Sequence, residues 1–208
     1  MNKEEKPNNR KKQAIETKRR IYESAEQLFE KYGFDNVIVD SIVEMAGVSK
    51  GAFYVHFDSK DSLIAAIIAD YVDKLDLNYK SYFESFPAST MASDILISLA
   101  GKIADIIACT IGYDHMKIIY KAHITKTINT DATLDYNRDL YKIFSRIISQ
   151  GIKQGEFKTE IAIDTITKHC VMSIRGIVYE WCIRYPDFNL KDCVQEHFEI
   201  LLTGIKKQ

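Results

Sequence analysis

The chain has 208 residues, of which 46% are hydrophobic and 27% are charged, and its formal net charge at pH 7 is −1. This composition is typical of a folded globular protein and excludes a chain that is disordered throughout, whose hydrophobic content would be low. The sequence has no uncharged apolar run of about 18 residues and no apolar segment near the N-terminus, so we predict neither a membrane span nor a secretory signal and expect a cytoplasmic protein. The four cysteines form no C-x-x-C pair, which favours reduced thiols over disulfides.

The N-terminal segment is locally basic, because the first twenty residues contain eight lysines and arginines and only three glutamates. We predict that residues 1–14 form a disordered basic arm. Two interpretations of this arm stay open, a solvated tail and a segment that contacts DNA, since attraction to phosphates requires only positive charge near the duplex.

Beyond the arm, apolar residues recur at spacings of three and four, which predicts an all-α chain. The first helix is predicted over about 17–32 and should end at Gly33, since glycine suits the left-handed position after a helix. A second helix, over about 39–46, should end at Gly47. A third, over about 50–57, follows Ser49, whose hydroxyl can accept a hydrogen bond from a free backbone N–H at the helix start.

A long fourth helix is predicted to begin after Asp58 or Ser59 and to end before Pro87. Its apolar stripe consists of Leu63, Ile64, Ile67, Ile68, Tyr71 and Leu75. Further helices are predicted over about 91–110, 113–123, 131–151, 161–184 and 189–206. We divide the chain into the arm, a DNA-binding domain over 15–60 and a larger helical domain over 61–208.

The second and third helices, joined through Gly47, Val48 and Ser49, have the form of a helix-turn-helix, which presents its second helix to the major groove. Phe53 and Phe57 can face the core of this domain. The residues left near the exposed side are Lys50, Gly51, Tyr54, Val55 and His56.

A longer pattern surrounds this motif. In order, it consists of the pair Gly33-Phe34, the run Ala46-Gly47-Val48-Ser49, the run Phe53-Tyr54-Val55-His56-Phe57, and Ser59-Lys60 before Leu63. With these pieces in this order and spacing, residues from about 15 to 64 resemble the N-terminal domain of TetR/AcrR-family transcriptional regulators. The resemblance implies an all-α fold, in which a three-helix helix-turn-helix domain is joined to a larger helical domain for ligand binding and dimerisation.

The resemblance also implies double-stranded DNA as a partner and a role for individual residues. Lys50, Gly51, Ala52 and Val55 would approach base edges, and Lys50 is the one among them that can donate to guanine O6 or N7. Tyr54, His56 and Lys60 would bind phosphates and fix the register on the duplex. Alternatives are that Tyr54 and His56 cap a small core, and that Lys60 is an ordinary surface lysine, although its place in the first turn of a helix favours an anion.

Two residues depart from the family pattern. Ile38 stands where the family usually has serine or threonine, so a helix cap and a phosphate contact are missing. Asp40 stands where a basic or neutral residue would suit DNA better, because a carboxylate repels phosphate unless it is turned away.

A single helix-turn-helix covers too few base pairs to be selective, so such modules usually act as dimers whose recognition helices lie about 34 to 36 Å apart. In the family the last two helices form the dimer interface, and here they carry apolar rows. The candidate interface residues are Ile174, Val178, Trp181, Val194, Phe198, Leu201 and Leu202. A core formed within one chain is the alternative, which periodicity does not exclude.

The middle helices are rich in aromatic and polar residues that could line an effector pocket. They include Tyr113, His115, Tyr120, His123, Tyr136, Tyr141, Arg175, Tyr179 and Glu180. Our candidate ligand-binding residues are Tyr113, Tyr120, His123, Tyr136, Arg175 and Tyr179. Arg175 stands out because a charge on an apolar stripe needs a carboxylate partner from the protein or from a ligand. Satisfied core tyrosines are the alternative for the rest.

No nucleotide-binding, nucleophile or zinc-protease motif is found, so we expect no enzyme. Cys193 and His197 could chelate a metal, but two ligands are too few, and we expect neither a metal nor another cofactor. We predict a ligand-responsive repressor that binds a palindromic operator as a homodimer. The alternative is a DNA-binding factor of the same fold that is regulated by a protein partner or acts architecturally.

Overall fold

The structure is a computed structural model, which describes the backbone of residues 5–158 and 160–207 and the side chains from residue 10 onward within these ranges. The described part is built from helices, as the sequence predicts. They are α1 Glu5–Tyr32, α2 Val39–Ala46, α3 Lys50–His56, α4 Lys60–Glu84, α5 Ala92–Asp105, α6 Tyr113–Thr125, α7 Asp131–Leu134, α8 Asp139–Lys153, α9 Ile163–Arg184 and α10 Leu190–Ile205. A π-helical segment, Ile106–Ile111, continues α5.

Contacts between residues divide the chain into two units. The first unit is the chain up to Asp70 together with Ala122–Thr130, and the second unit is Tyr71–Lys121 together with the chain from Asp131 onward. The division therefore falls inside α4, whereas our sequence prediction placed it between residues 60 and 61. Helix α4 is continuous across this division.

Helix α1 begins earlier than predicted, at Glu5, so residues 5–14 are helical where we expected a disordered arm. The remaining arm residues, 1–4, lie outside the described part of the chain. The sequence allows this extension, because residues 10–20 are mostly lysine, arginine, glutamine, glutamate and alanine, which are good helix formers. Pro7 lies in the first turn, where a missing N–H breaks no intrahelical hydrogen bond.

The helix ends of the first unit are encoded locally. Gly33 adopts φ 76° directly after α1, and its N–H donates to Phe29 O at 2.8 Å. Helix α2 has the predicted bounds and ends at Gly47, with φ 62°. Ser59 and Ser62 cap the start of α4 reciprocally, because each backbone N–H donates to the other hydroxyl, at 3.1 and 3.0 Å.

The core of the first unit comes from the apolar faces of its four helices. Its buried members include Ile21, Ala25, Phe29, Ile42, Phe53, Phe57, Leu63 and Ile64. Tyr71, which we placed on the apolar stripe of α4, is exposed, and Val72 and Tyr79 are buried further along the same helix. The stripe therefore follows the helical period through residue 72 instead of 71.

The second unit has its core between α5, α8, α9 and α10. Glu156 stabilises the start of α5, since its carboxylate accepts from the N–H groups of Ala92 at 2.6 Å and Ser93 at 3.2 Å. An anion at this end of a helix satisfies free N–H groups and interacts favourably with the helix dipole. The backbone of Glu156 is itself fixed, because its carbonyl accepts from Lys207 N at 2.8 Å.

The helix predicted over 131–151 is interrupted. It consists of α7 and α8, separated by a turn at residues 135–138. Asp135 Oδ1 accepts from Asn137 N at 2.8 Å, which gives the backbone an alternative to the helical hydrogen bond. Periodicity did not reveal this break.

Most of the predicted dimer-interface residues pack within the chain itself. Six of them, Ile174, Val178, Trp181, Val194, Phe198 and Leu202, are buried in the chain's own core, and Leu201 is partly buried. A side chain that is covered within its own chain has no surface to offer a partner. The most apolar stripes of α9 and α10 therefore pack inward, which was the alternative that periodicity left open.

Among the residues that the structure describes, no single helix is long and apolar enough to cross a membrane. One bent pair, Ala92–Ile111 followed by Tyr113–Thr125, would satisfy this requirement by length and composition only when the two are taken together.

Candidate functional site

Helix α3 presents one face to the core of the first unit and the opposite face to solvent. Phe53 is fully buried and Phe57 nearly so, as predicted, with their rings 5.8 Å apart. On the other face, Val55 is 79% exposed and Tyr54 is 49% exposed. Ser49 caps the helix, since its hydroxyl accepts from Ala52 N at 3.1 Å, so the exposed face is held on a defined helix.

The exposed lysine of this face is paired within the first unit. Lys50 Nζ lies 2.6 Å from Asp40 Oδ1, and more than half of each side chain is exposed. The hydrogen bond to Asp40 raises the pKa of Lys50 above its ordinary value, so the ammonium stays charged. Water screens an ion pair this exposed, so either side chain can change partner at little cost.

Gly51 lies on the exposed face without an intramolecular need for glycine. A Cβ at this position would meet only Ser49 Oγ, at 3.9 Å, which is ordinary contact. Gly51 is the second residue of α3, so it lies in the first turn of the helix. The chain's own packing therefore does not require glycine at this position.

The remaining predicted residues of this face are partly covered. The Tyr54 ring packs edge-on against Phe53, with centroids 5.3 Å apart, and about half of the side chain stays exposed. Ala52 and His56 are half-buried. Tyr54 therefore has both the core contact that we considered as an alternative and an accessible surface.

Lys60 makes hydrogen bonds within the first unit. Its ammonium donates to Phe34 O at 2.8 Å and to Val37 O at 2.9 Å, and the side chain is half-buried. Both acceptors lie in the loop between α1 and α2. These two hydrogen bonds hold the loop in place, so Lys60 has a positioning role within the first unit.

Arg20 is a functional neighbour that the sequence did not reveal. Its Nη2 donates to Ala46 O and, at 3.1 Å, to Gly47 O, so α1 holds the C-terminal end of α2. A Cβ at residue 47 would lie 2.7 Å from Arg20 Nη2 and would displace that guanidinium, whereas the φ of 62° is what favours glycine here. Arg20 and the carbonyls that it binds are 26 and 27 positions apart in the sequence, which is too far for a local pattern to reveal.

The second unit contains a partly buried polar cluster. Arg138 binds Asp76 through two nitrogens, with Nη2–Oδ1 at 2.6 Å and Nε–Oδ2 at 3.2 Å. Thr133 O accepts from Arg138 Nη1 and from Arg175 Nη2, each at 3.0 Å. A single carbonyl of α7 thus brings two guanidinium groups together, and Asp76, Thr133 and Arg138 are members that sequence analysis missed.

Tyrosines surround Arg175. The guanidinium carbon lies 5.9 Å from the centre of the Tyr141 ring, and Tyr136 packs edge-on against Tyr141 at 5.0 Å. Tyr120 Oη donates to Arg175 O at 2.7 Å, and the Tyr120 ring lies 5.5 Å from that of Tyr179. Burial raises the pKa of Tyr120, so its hydroxyl remains a neutral donor.

The structure therefore brings four of the six predicted ligand residues together, namely Tyr120, Tyr136, Arg175 and Tyr179. Tyr113 belongs to a different aromatic group, where it stacks on Tyr185 at 4.3 Å and meets the edge of Trp181. His123 is half-buried in the last turn of α6, in a segment that groups with the first unit.

The family is established by comparison with known proteins. Residues 21–67 match the model of the family "Bacterial regulatory proteins, tetR family". This range covers α2, α3 and the exposed face described above. The chain is a TetR/AcrR-family transcriptional regulator.

Relatives of this TetR/AcrR-family chain extend the likeness beyond the helix-turn-helix. The "HTH-type transcriptional repressor KstR2" of Rhodococcus jostii is 24% identical over 187 residues, which is 89% of each chain. The "HTH-type transcriptional regulator TtgR" of Pseudomonas putida is 41% identical over 58 residues, 28% of each chain. The crystal structure of Thermus thermophilus FadR with lauroyl-CoA has a TM-score of 0.70 at 18% identity and covers 90% of this chain and 94% of its own.

Both departures from the family pattern can be located in the first unit. Ile38 occupies the N-cap of α2 and makes no side-chain hydrogen bond there. Asp40 forms an ion pair with Lys50, which neutralises its carboxylate. In this TetR/AcrR-family regulator the acidic residue thus changes the charge that the recognition helix presents.

A surface groove of the second unit contains none of the predicted ligand residues. It runs along α8 and is lined by Ala88, Ser145, Arg146, Ser149, Gln150, Lys153 and Gln154. Six of these seven residues are polar or charged, and the groove is open to solvent, whereas effector pockets are mostly enclosed and lined by apolar side chains. The cluster around Arg175 is the stronger candidate.

Proposed function

We propose that this chain is a ligand-responsive repressor, which binds a palindromic operator as a homodimer and releases it when a small molecule binds the second unit. The observation that carries the proposal is the exposed face of α3, where a Cβ at residue 51 would meet only Ser49 Oγ and where Val55 is 79% exposed. A short helix with such a face suits insertion into the major groove.

The proposed roles on DNA follow from exposure and chemistry. Gly51, Ala52 and Val55 would lie against base edges, where small and apolar side chains can contact thymine methyl groups. Lys50 would donate to guanine after it leaves Asp40. Tyr54 and His56 would bind phosphates, whereas Lys60 would keep the loop before α2 in place.

The proposed dimer uses residues other than those we first selected. Helix α9 exposes Met172, Gly176 and Ile183, and helix α10 exposes Ile200 and Gly204. Their spacing, at intervals that add to whole turns, places each set on one face of its helix. A Cβ at either glycine would meet nothing within 4 Å, which leaves room for close approach of a helix from a second copy.

The effector would act through α4. This helix runs without interruption from Lys60 to Glu84 and contains residues of both units. Displacement of its second half on effector binding would move the half that supports the helix-turn-helix. Release of DNA requires that the effector binds the DNA-incompetent state more tightly, by an amount equal to the loss of operator affinity.

The test is a selection of genomic fragments by the purified full-length protein at two salt concentrations. We expect one small set of fragments to be enriched, with affinity that falls steeply as salt rises, because phosphate contacts release counterions. Enrichment no greater than that of random DNA at either salt concentration would contradict the proposal.

A further inference from the structure

The polar cluster of the second unit has more positive than negative charge. Arg138 and Arg175 both donate to Thr133 O, and Asp76 pairs with Arg138 through both of its oxygens. Among the described residues, no acidic side chain forms an ion pair with Arg175, whose guanidinium donates to the Thr133 carbonyl and lies over the Tyr141 ring. One guanidinium charge is therefore left uncompensated in a half-buried setting.

The two arginines show what is missing around Arg175. Arg138 uses Nε, Nη1 and Nη2, and these three nitrogens bind a carboxylate and a carbonyl. Arg175 uses Nη2 alone, although a guanidinium has five N–H donors in a planar fork. That fork matches the geometry of a carboxylate or a phosphate.

A second group near Arg175 also lacks a partner. Tyr141 is 4% exposed, and its buried hydroxyl, which faces the Arg175 guanidinium, finds no acceptor for its own proton among the described residues. Burial raises the pKa of Tyr141 and the charge of Arg175 acts in the opposite direction, so the hydroxyl lies within electrostatic reach of the guanidinium and remains protonated. A buried donor without an acceptor costs stability unless a ligand supplies the acceptor.

We propose that Arg175 and Tyr141 bind the anionic group, a carboxylate or a phosphate, of an otherwise apolar effector. This inference rests on the proposed function, in which the second unit senses a small molecule. The anion would compensate the Arg175 charge and accept from the Tyr141 hydroxyl. The apolar part would pack against tyrosine rings, for which Tyr136 and Tyr179 offer exposed surface beside the cluster.

The test compares matched compounds that differ only in the anionic group. The full-length protein is titrated calorimetrically with 2-naphthoate, 2-naphthyl phosphate and neutral 2-naphthalenemethanol, and with octanoate, octyl phosphate and octanol. We expect at least one anion to bind about tenfold or more tightly than its neutral counterpart, the gain expected of a charge-assisted hydrogen bond. Comparing the two carboxylates with the two phosphates identifies which anion the site accepts.

Variants then assign the preference to the two residues. Arg175→Gln should remove the preference for the anion and leave binding of the alcohol unchanged, and Arg175→Lys should retain part of it. Tyr141→Phe should weaken the anion about three- to tenfold. Without ligand, Tyr141→Phe should melt at the same temperature as the wild type or higher, because it removes an unsatisfied buried group.

Arg146→Gln, which removes an exposed arginine of α8, and Tyr185→Phe, which removes an exposed hydroxyl, are the matched controls and should change neither affinity. Equal binding of anions and alcohols, no binding of any anion to the wild type, or a preference that survives Arg175→Gln would overturn the proposal. Operator binding by Arg175→Gln distinguishes a failure of the ligand assignment from a failure of the proposed function, since this binding should persist if only the ligand assignment fails. If the wild type selects no DNA, the proposed function fails instead.

Discussion

The exposed face of α3 and the cluster around Arg175 both carry positive charge, but they differ in what surrounds it. Lys50 is mostly in water, where its bond to Asp40 can be exchanged for another at small cost. Arg175 is half-buried among tyrosines, where a charge without a counter-charge is expensive. The first setting suits a partner with many equivalent phosphates, and the second selects a partner by its chemistry.

The largest expected effect tests the buried side of this comparison. Asp76→Ala leaves Arg138 without a counter-charge at a site where the two side chains are only 9% and 13% exposed. We expect a loss of about 3 to 5 kcal/mol in the free energy of unfolding, as for other broken buried pairs, measured by urea denaturation. The control is Lys142→Ala, which removes an exposed ion pair with Asp139 and should cause no measurable change in the free energy of unfolding. Similar effects from both variants would show that burial does not distinguish these pairs.

The next effect tests the exposed side. Gly51→Leu adds a Cβ that meets only Ser49 Oγ, at 3.9 Å, in the first turn of α3, so the free energy of unfolding should stay within about 1 kcal/mol of the wild type. Operator affinity should fall by about 2 kcal/mol, or roughly thirtyfold, because the new side chain occupies the space of the groove. Fluorescence anisotropy with the selected operator measures the affinity, and thermal melting measures stability. An unchanged affinity would remove α3 from the interface.

A smaller effect distinguishes a positioning lysine from a phosphate contact. Lys60→Met retains the apolar stem and removes the donor to Phe34 O and Val37 O, which should lower the free energy of unfolding by about 1 to 2 kcal/mol. The salt dependence of operator affinity should not change. Lys74→Met, at an exposed position of α4, is the control for general loss of charge. If the stability of Lys60→Met equals that of the wild type while its salt slope falls by about 1, Lys60 binds phosphate after all.

The smallest effect concerns the exchangeable pair. Asp40→Asn frees Lys50 and removes a carboxylate from the DNA-facing side, so operator affinity should rise a few-fold, with no measurable change in stability. Asp61→Asn makes the same change of charge elsewhere in the first unit and should have a weaker effect. Equal gains in operator affinity from both variants would show that Asp40 acts only through the net charge of the chain.

The sequence predicted the first unit well because its signals are local. Gly33, Gly47 and Ser49 end or begin helices through their own conformation and hydrogen bonds, so each acts within a few residues. The positions of Phe53 and Phe57 follow from the period of α3. The hydrogen bonds of Lys60 were not predicted, because its acceptors lie 23 and 26 positions away, where no pattern reveals them.

The second unit was harder because its arrangement depends on distant contacts. Apolar periodicity showed that α9 and α10 have a buried face, but it did not say whether the covering atoms come from the same chain, and we selected core residues such as Val178 and Phe198 for the interface. Arg175 was recognised from its charge on an apolar stripe. Its neighbours Thr133 and Arg138 were missed, since the turn that places them interrupts a helix that periodicity predicted to be continuous.

Hydroxyl-radical footprinting of the full-length protein on its selected fragment tests the central claim most directly. If two copies place α3 in successive major grooves, two protected patches should appear on one side of the duplex, related by two-fold symmetry and about 34 to 36 Å apart. A single patch, or uniform protection without symmetry, would contradict binding by a dimer through this face.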